Sequence, residues 1–128
     1  MGALVRDERL APELVISSDA RRARLTAEAM AEAAGYTGTI LLDPRLYHAG
    51  VGDILDVLRT GVETDVDTVM IVGHNPGLEA LVAHLTGQLE EFPTAALAQI
   101  ALPVDRWSDL ATTTRGTLVA LWRPKELD

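Results

Sequence analysis

The sequence contains no cysteine, few aromatic residues and no excess of positive charge. Without cysteine, a disulfide framework, a thiol nucleophile and a thiolate zinc site are all excluded. The formal net charge is −8 at pH 7, whereas surfaces that bind nucleic acid or membranes are expected to be basic. We therefore expect neither a nucleic-acid partner nor a membrane partner.

Long hydrophobic runs are also lacking. The longest apolar stretches, residues 68–72 and 118–122, have the length of a strand and are far too short to cross a bilayer. The charged N-terminal residues have no signal-peptide core, which predicts a cytoplasmic protein. With 128 residues and 48% hydrophobic content, the chain can bury one core. No linker composition interrupts it, so we predict a single domain over residues 1–128.

Strand-like and helical patterns alternate along the chain. Short strands are predicted at residues 14–17, 39–42, 68–73, 98–102 and 117–122. Helices are predicted at residues 20–34, at 53–60 and from Pro76 onward, and residues 1–10 resemble the end of another helix. This alternation predicts a three-layer α/β/α sandwich with a mostly parallel sheet.

A Gly-His-Asn-Pro-Gly segment occupies residues 73–77, where a buried strand is predicted to give way to a helix. Ligands of open α/β sheets gather at such strand ends, where the next helix presents free N–H groups. His74 and Asn75 are therefore candidates for binding an anion. The alternative is that both residues only cap the helix. The glycines on either side indicate a close backbone approach, so we favour a binding site.

A second cluster, Ser-Ser-Asp-Ala-Arg-Arg-Ala-Arg-Leu-Thr at residues 17–26, has the same strand-to-helix organisation. Ser18 is a candidate N-cap. Arg22 and Thr26 are four residues apart and share a helix face. The planar fork of arginine suits a phosphate group. We assign Arg22 to a phosphate pocket, and we assign Arg21 and Arg24 to ordinary pairing with surface acids.

Together these motifs resemble the histidine phosphatase superfamily, and most closely its SixA-like phosphohistidine phosphatase branch. The resemblance is carried in order by Ser-Ser-x-x-x-Arg-Ala-x-x-Thr-Ala from Ser17, Leu-Tyr-x-Ala from Leu46, and Val-Gly-His-Asn-Pro-Gly from Val72. The Pro-Thr-Ala-Ala segment at residues 93–96 adds to it. The resemblance implies a phosphoglycerate mutase-like fold.

The sequence departs from this family at the nucleophile. The family uses a histidine in an Arg-His-Gly or Arg-His-Ala motif that ends the first strand. The chain has no such motif: Asp7 follows Val5-Arg6 where the histidine would stand, too close to Ser17 for the intervening helix. We therefore expect a family member that lacks the first strand and the nucleophile. Because that strand lies within the sheet, its absence predicts unpaired strand edges and a homodimer.

By resemblance, a complete relative transfers phosphate through a phosphohistidine intermediate, which water then hydrolyses. His74 would act in catalysis by stabilising the charge on the phosphoryl oxygens, and Arg22 would clamp the same oxygens. Asn75 would orient the turn and contribute to phosphate binding. No cofactor is implied. The substrate would be a phosphorylated protein or a small phosphomonoester.

The two other histidines receive less weight. We interpret His48 as a solvated loop residue and His84 as a packing or surface residue of the third predicted helix. The three histidines form no recognisable set of metal ligands, and we predict no metal.

Three hypotheses remain open. The first is an active phosphatase for which the given sequence starts late, so that the nucleophilic histidine lies upstream of Met1. The second is a module that binds phosphate or a phosphoprotein without turnover. The third is an unrelated α/β binding module in which residues 73–77 only cap a helix.

Overall fold

A computed structural model describes residues 12–88 and 97–122. Two sequence predictions, the helix end at residues 1–10 and the small-residue segment at 93–96, lie outside the described residues. All structural statements below concern the described ranges.

Three short strands form a parallel sheet at the centre of the fold. They are β1 (Leu14–Ser17), β2 (Ile40–Leu42) and β3 (Val69–Val72), in the order β2-β1-β3. The central β1 is the most deeply buried because it pairs on both sides. Its last residue, Ser17, lies opposite Leu42 on one side and Val72 on the other, so all three strands end at one edge.

The helices are α1 (Arg21–Ala34), α2 (Val51–Gly61) and α3 (Gly77–Thr86). Their bounds lie within two residues of the predicted ones. Gly61 is the last residue of α2, whereas Gly35 and Gly87 end α1 and α3 in the left-handed conformation. Short 3-10 helices span Pro44–Leu46 and Trp107–Asp109.

Successive strand residues point to opposite faces of the sheet, and helices cover both of these faces. Ile16 packs into the main core with leucines of α2 and α3. On the other side α1 buries Ala23, Ala27 and Ala31. These alanines recur every four residues, and this spacing keeps the small side chains toward the sheet. The predicted three-layer α/β organisation is confirmed.

The remaining strands, β4 (Leu97–Ala101) and β5 (Thr117–Trp122), form an antiparallel pair that is separate from the parallel sheet. The sequence did not indicate this separation. Two hydrogen bonds tie the pair and its loop to α3: Gly116 N–H donates to the Leu85 carbonyl at 2.6 Å, and His84 Nε2 donates to the Thr112 carbonyl at 2.7 Å.

β3 is only half-buried, although its apolar sequence predicted a strand covered on both faces. Within the described residues, β3 pairs with β1 alone, and its other side borders a groove whose far wall is β4. β2 also pairs with β1 alone. Self-association through such edges stays a prediction.

Replacing Leu55 tests the core. Leu55 is 0% exposed, so Leu55→Ala should lower the free energy of unfolding by about 2–5 kcal/mol through lost burial and a residual cavity. The matched control is Leu25→Ala on α1, because Leu25 is 49% exposed and its loss should cost within about 0.5 kcal/mol. Urea unfolding measures both. Equal losses in the two variants would contradict this core.

Candidate functional site

Two strand-to-helix corners lie side by side at one edge of the sheet. β1 leads through Ser18 into α1, and β3 leads through residues 73–76 into α3. The parallel pairing continues past the strand end, since Ser18 N–H donates to the Val72 carbonyl at 2.9 Å. Both helices therefore begin at the same edge, where their free N–H groups carry partial positive charge.

A groove of about 690 Å³ runs along β3 and reaches this edge. Its walls include four polar residues from the two corners: Arg22, Thr26, His74 and Asn75. The rest of the lining is largely apolar and comes from α1, α3, β3 and β4. The structure therefore brings Arg22, His74 and Asn75 together around one hollow.

The neighbouring arginines are placed differently. Arg21, Arg22 and Arg24 are all exposed, but Arg21 and Arg24 do not line the groove. Arg22 and Asp67 are the charged residues of the groove lining, and Asp67 precedes β3 at the opposite edge of the sheet. The end that holds His74 thus carries the positive charge, which suits an anion.

His74 is held by Ser18. The Nε2 atom of His74 lies 2.9 Å from the Ser18 hydroxyl oxygen, and Ser18 is fully buried. The same oxygen accepts a hydrogen bond from Ala20 N–H at 3.2 Å. The N-cap residue of α1 is Ala20, so the prediction of Ser18 as the N-cap is wrong. The Ser18 hydroxyl instead bonds the N–H of that cap residue and also orients the imidazole. The sequence analysis missed this second contact, which joins residues 56 positions apart.

The Asn75 side chain caps α3, as the helix-capping alternative for residues 73–77 predicted. Its Oδ1 accepts a hydrogen bond from Glu79 N–H at 3.2 Å, and the residue is exposed at the groove wall. The helix itself begins at Gly77 rather than at Pro76. This hydrogen bond engages the amide oxygen of Asn75 with the first turn of α3.

The glycines around His74 have a structural explanation that does not involve a ligand. A Cβ atom on Gly77 would lie 2.3 Å from the Ala49 carbonyl oxygen, whereas one on Gly73 would make ordinary contact with Leu78 at 3.6 Å. The close approach that we inferred is therefore real at Gly77, but the approaching group is the loop at Ala49. Our use of these glycines as evidence for a bound ligand is wrong.

This loop brings Tyr47 to His74. The two rings meet edge to face, with centroids 5.5 Å apart and planes at 89°. Leu46, just before it, is buried in the core at 2% exposure, and Tyr47 N–H donates to the Pro44 carbonyl at 3.1 Å. The sequence analysis used Leu-Tyr-x-Ala only as a resemblance and did not place Tyr47 at the site.

Asp43 and Arg45 stabilise the start of the same loop. The Asp43 carboxylate accepts a hydrogen bond from Arg45 N–H at 3.0 Å and pairs with the guanidinium at 2.7 Å. The hydrogen bonds from the Arg45 side chain hold the pKa of Asp43 below its usual value, against a smaller opposing effect of burial. The pair caps the 3-10 helix that carries Leu46.

The other histidines lie outside this hollow. His48 is exposed, has a φ of 54°, and packs against Tyr47 with ring centroids 4.1 Å apart. His84 bonds to the Thr112 carbonyl, as described above. Within residues 12–88 and 97–122, no three His, Asp or Glu side chains are grouped so that they could hold a metal ion.

No family model matches the sequence, and no curated protein matches it either. Solved structures do match. A SixA from Agrobacterium tumefaciens, a proposed phosphohistidine phosphatase, is 27% identical with a TM-score of 0.74, over 96% of this chain and 75% of that one. A proposed phosphohistidine phosphatase SixA from Nakamurella multipartitia is 24% identical with a TM-score of 0.80, over 96% and 77%.

A third match is a protein histidine phosphatase SixA complexed with tungstate, which is 23% identical with a TM-score of 0.81, over 99% of this chain and 78% of that one. These structures share the phosphoglycerate mutase-like fold with this chain. They also confirm the resemblance to the SixA-like branch of the histidine phosphatase superfamily. In the described part of the chain, no helix has the length and apolar character needed to span a membrane.

Gly77→Ala tests the contact between the loop and α3. Alanine normally stabilises a helix relative to glycine, but here its Cβ would overlap the Ala49 carbonyl. We expect a loss of about 1–3 kcal/mol in the free energy of unfolding. The control is Gly52→Ala in the first turn of α2, where a Cβ meets nothing within 4 Å; it should gain about 0.5–1 kcal/mol. If Gly77→Ala is also stabilising, the close approach is refuted.

Asp43 provides a prediction about pH. Since its pKa is lower in the folded protein, its contribution to stability is complete above the unfolded value of about 3.9 and is lost as the pH falls through the folded pKa. Asp43→Asn should therefore destabilise the protein at pH 6 and much less near pH 2. Thermal melting at both pH values checks this, with Asp65→Asn, an exposed aspartate, as control. A pH-independent effect of Asp43→Asn would contradict the ion pair.

Proposed function

We propose that this protein is a phosphatase-type hydrolase of phosphohistidine or phosphomonoester substrates, and that Arg22 and His74 bind the phosphoryl group. One observation carries the proposal: both residues lie on the wall of one groove, at the ends of two adjacent parallel strands. The resemblance to SixA-like phosphatases supports it.

The chemistry of the two side chains is complementary. The Arg22 guanidinium carries a permanent charge and donates parallel hydrogen bonds that match two phosphoryl oxygens. The His74 imidazole, oriented by Ser18, donates a hydrogen bond from a fixed position. Donors that are fixed before the reaction stabilise the charge that develops on a transferring phosphoryl group without reorganising. Asn75 lies on the wall of the same groove, just before the start of α3, and would contribute to phosphate binding there.

A complete hydrolytic cycle of the family type needs one more group, a histidine that attacks phosphorus. The family motif that carries this histidine, Arg-His-Gly or Arg-His-Ala, does not occur in residues 1–128. The second candidate function uses the oxyanion site alone: the chain binds phosphate or a phosphoprotein without turning it over. Both functions use the same oxyanion site. They differ in whether the bound phosphoryl group is hydrolysed.

The first experiment measures binding of tungstate, a phosphate-like oxyanion, by isothermal titration calorimetry. Arg22→Ala should weaken binding by about tenfold or more, since a hydrogen bond to a charged group is worth about 1.5–3 kcal/mol. Arg24→Ala removes an equal charge from the same helix but from outside the groove, so its effect should be small and should vanish at high salt. Equal effects of the two variants would contradict a specific role of Arg22, because general electrostatic attraction would then explain the binding.

The second experiment separates hydrolysis from binding alone. Wild type and His74→Gln are incubated with phosphoimidazole and with p-nitrophenyl phosphate, and released phosphate is measured. Turnover by wild type that His74→Gln abolishes would establish the hydrolase. Tungstate binding without phosphate release would establish the binding module. If neither occurs, residues 73–77 serve only as a helix cap.

A further inference from the structure

Tyr47 is not among the residues that line the groove, but its ring contacts His74, and phosphoryl binding does not account for it. The residue is 52% exposed, yet its ring contacts the ring of His74. An exposed tyrosine alone is unremarkable on a protein surface. Tyr47, however, lies beside the imidazole that would hold the phosphoryl group, where it could contact a bound substrate.

The backbone around Tyr47 is anchored on both sides. Before it, Leu46 is buried in the core and Asp43 caps the 3-10 helix through Arg45. After it, the Ala49 carbonyl packs against Gly77 at the start of α3. Since these contacts fix the chain on either side, little conformational entropy remains to be lost when a ligand packs on the ring.

The ring is also bordered by a second imidazole. His48 packs against it with a centroid distance of 4.1 Å, while His74 lies at 5.5 Å. Two rings thus support Tyr47 while about half of its surface stays accessible. A flat, partly apolar surface of this kind favours another flat ring, because aromatic pairs gain energy from their relative orientation in addition to the area they bury.

We propose that Tyr47 determines specificity by packing against the planar group that carries the phosphoryl in the substrate. This inference rests on the proposed phosphoryl site at Arg22 and His74. A ring joined to a phosphorus atom held by His74 would lie close to Tyr47, because the Tyr47 and His74 rings are in edge-to-face contact with centroids 5.5 Å apart. The favoured substrates are then phosphoryl groups on imidazole or aryl rings, including phosphohistidine, rather than on aliphatic alcohols.

The test compares phenylphosphonate with cyclohexylphosphonate. The two probes have the same charged group and rings of similar size, but only the first ring is flat. Wild type should bind phenylphosphonate about 2- to 12-fold more tightly, the range expected for one aromatic pair. Tyr47→Phe should keep this ratio, and Tyr47→Leu should bring it close to one. The ratio is the readout because any change at the phosphoryl site affects both probes alike.

A second measurement uses the two tyrosines of the chain. Phenylphosphonate should shift the NMR signals of the Tyr47 ring through its ring current, whereas cyclohexylphosphonate should not. Tyr36 precedes β2, at the opposite edge of the sheet, and donates from its hydroxyl to the Thr39 carbonyl; its signals should stay unchanged. This measurement needs no variant, so a misfolded Tyr47→Leu protein would not prevent the test.

The outcomes separate this inference from the proposed function. If inorganic phosphate and both phosphonates fail to bind, both ideas are overturned. If phosphate binds but wild type shows no preference for the flat ring, the role of Tyr47 alone is overturned. A preference that persists in Tyr47→Leu would overturn it as well, because the ring would then pack elsewhere.

Discussion

The candidate site depends on the parallel pairing of β1 with β3. Because Ser17 lies opposite Val72, the chain leaves the sheet at the same level in both strands, and the two helices that follow start next to each other. A slip of one residue would turn each side chain of the strand to the opposite face of the sheet. The burial of Val15 and Ile16 on opposite faces therefore sets the register, and the register sets the position of Arg22 relative to His74.

Within this frame the Ser18 hydroxyl serves two elements. It accepts from Ala20 N–H before α1 and contacts the imidazole of His74. Ser18 is fully buried, and leaving its hydroxyl unpaired would be costly. The orientation of a side chain after β3 is thus linked to the beginning of a helix after β1. Through this link, a fold with short strands holds the polar ring of His74 in a defined orientation.

The local pattern of the sequence was sufficient to predict most of the fold. The alternation of apolar runs with helical stripes located the helices and strands within two residues, because periodicity and capping act over a few positions. Pattern also pointed to the two corners that hold Arg22 and His74. It could not reveal that Ser18 and Tyr47 contact His74, or that β4 and β5 form a separate sheet, because these features depend on packing between distant segments. It misattributed Gly77 for the same reason: a short sequence window does not contain Ala49.

The contact between Gly77 and Ala49 bears on how such a site can diversify. It joins main chain to main chain, so no exchange of side chains can enlarge the opening between the loop and α3, and any residue larger than glycine would disturb it. The neighbouring side chains, Tyr47 and His48, are exposed and can be exchanged without repacking the interior. Substitutions at these two positions would therefore alter the surface beside His74 while the backbone around the candidate site keeps its shape.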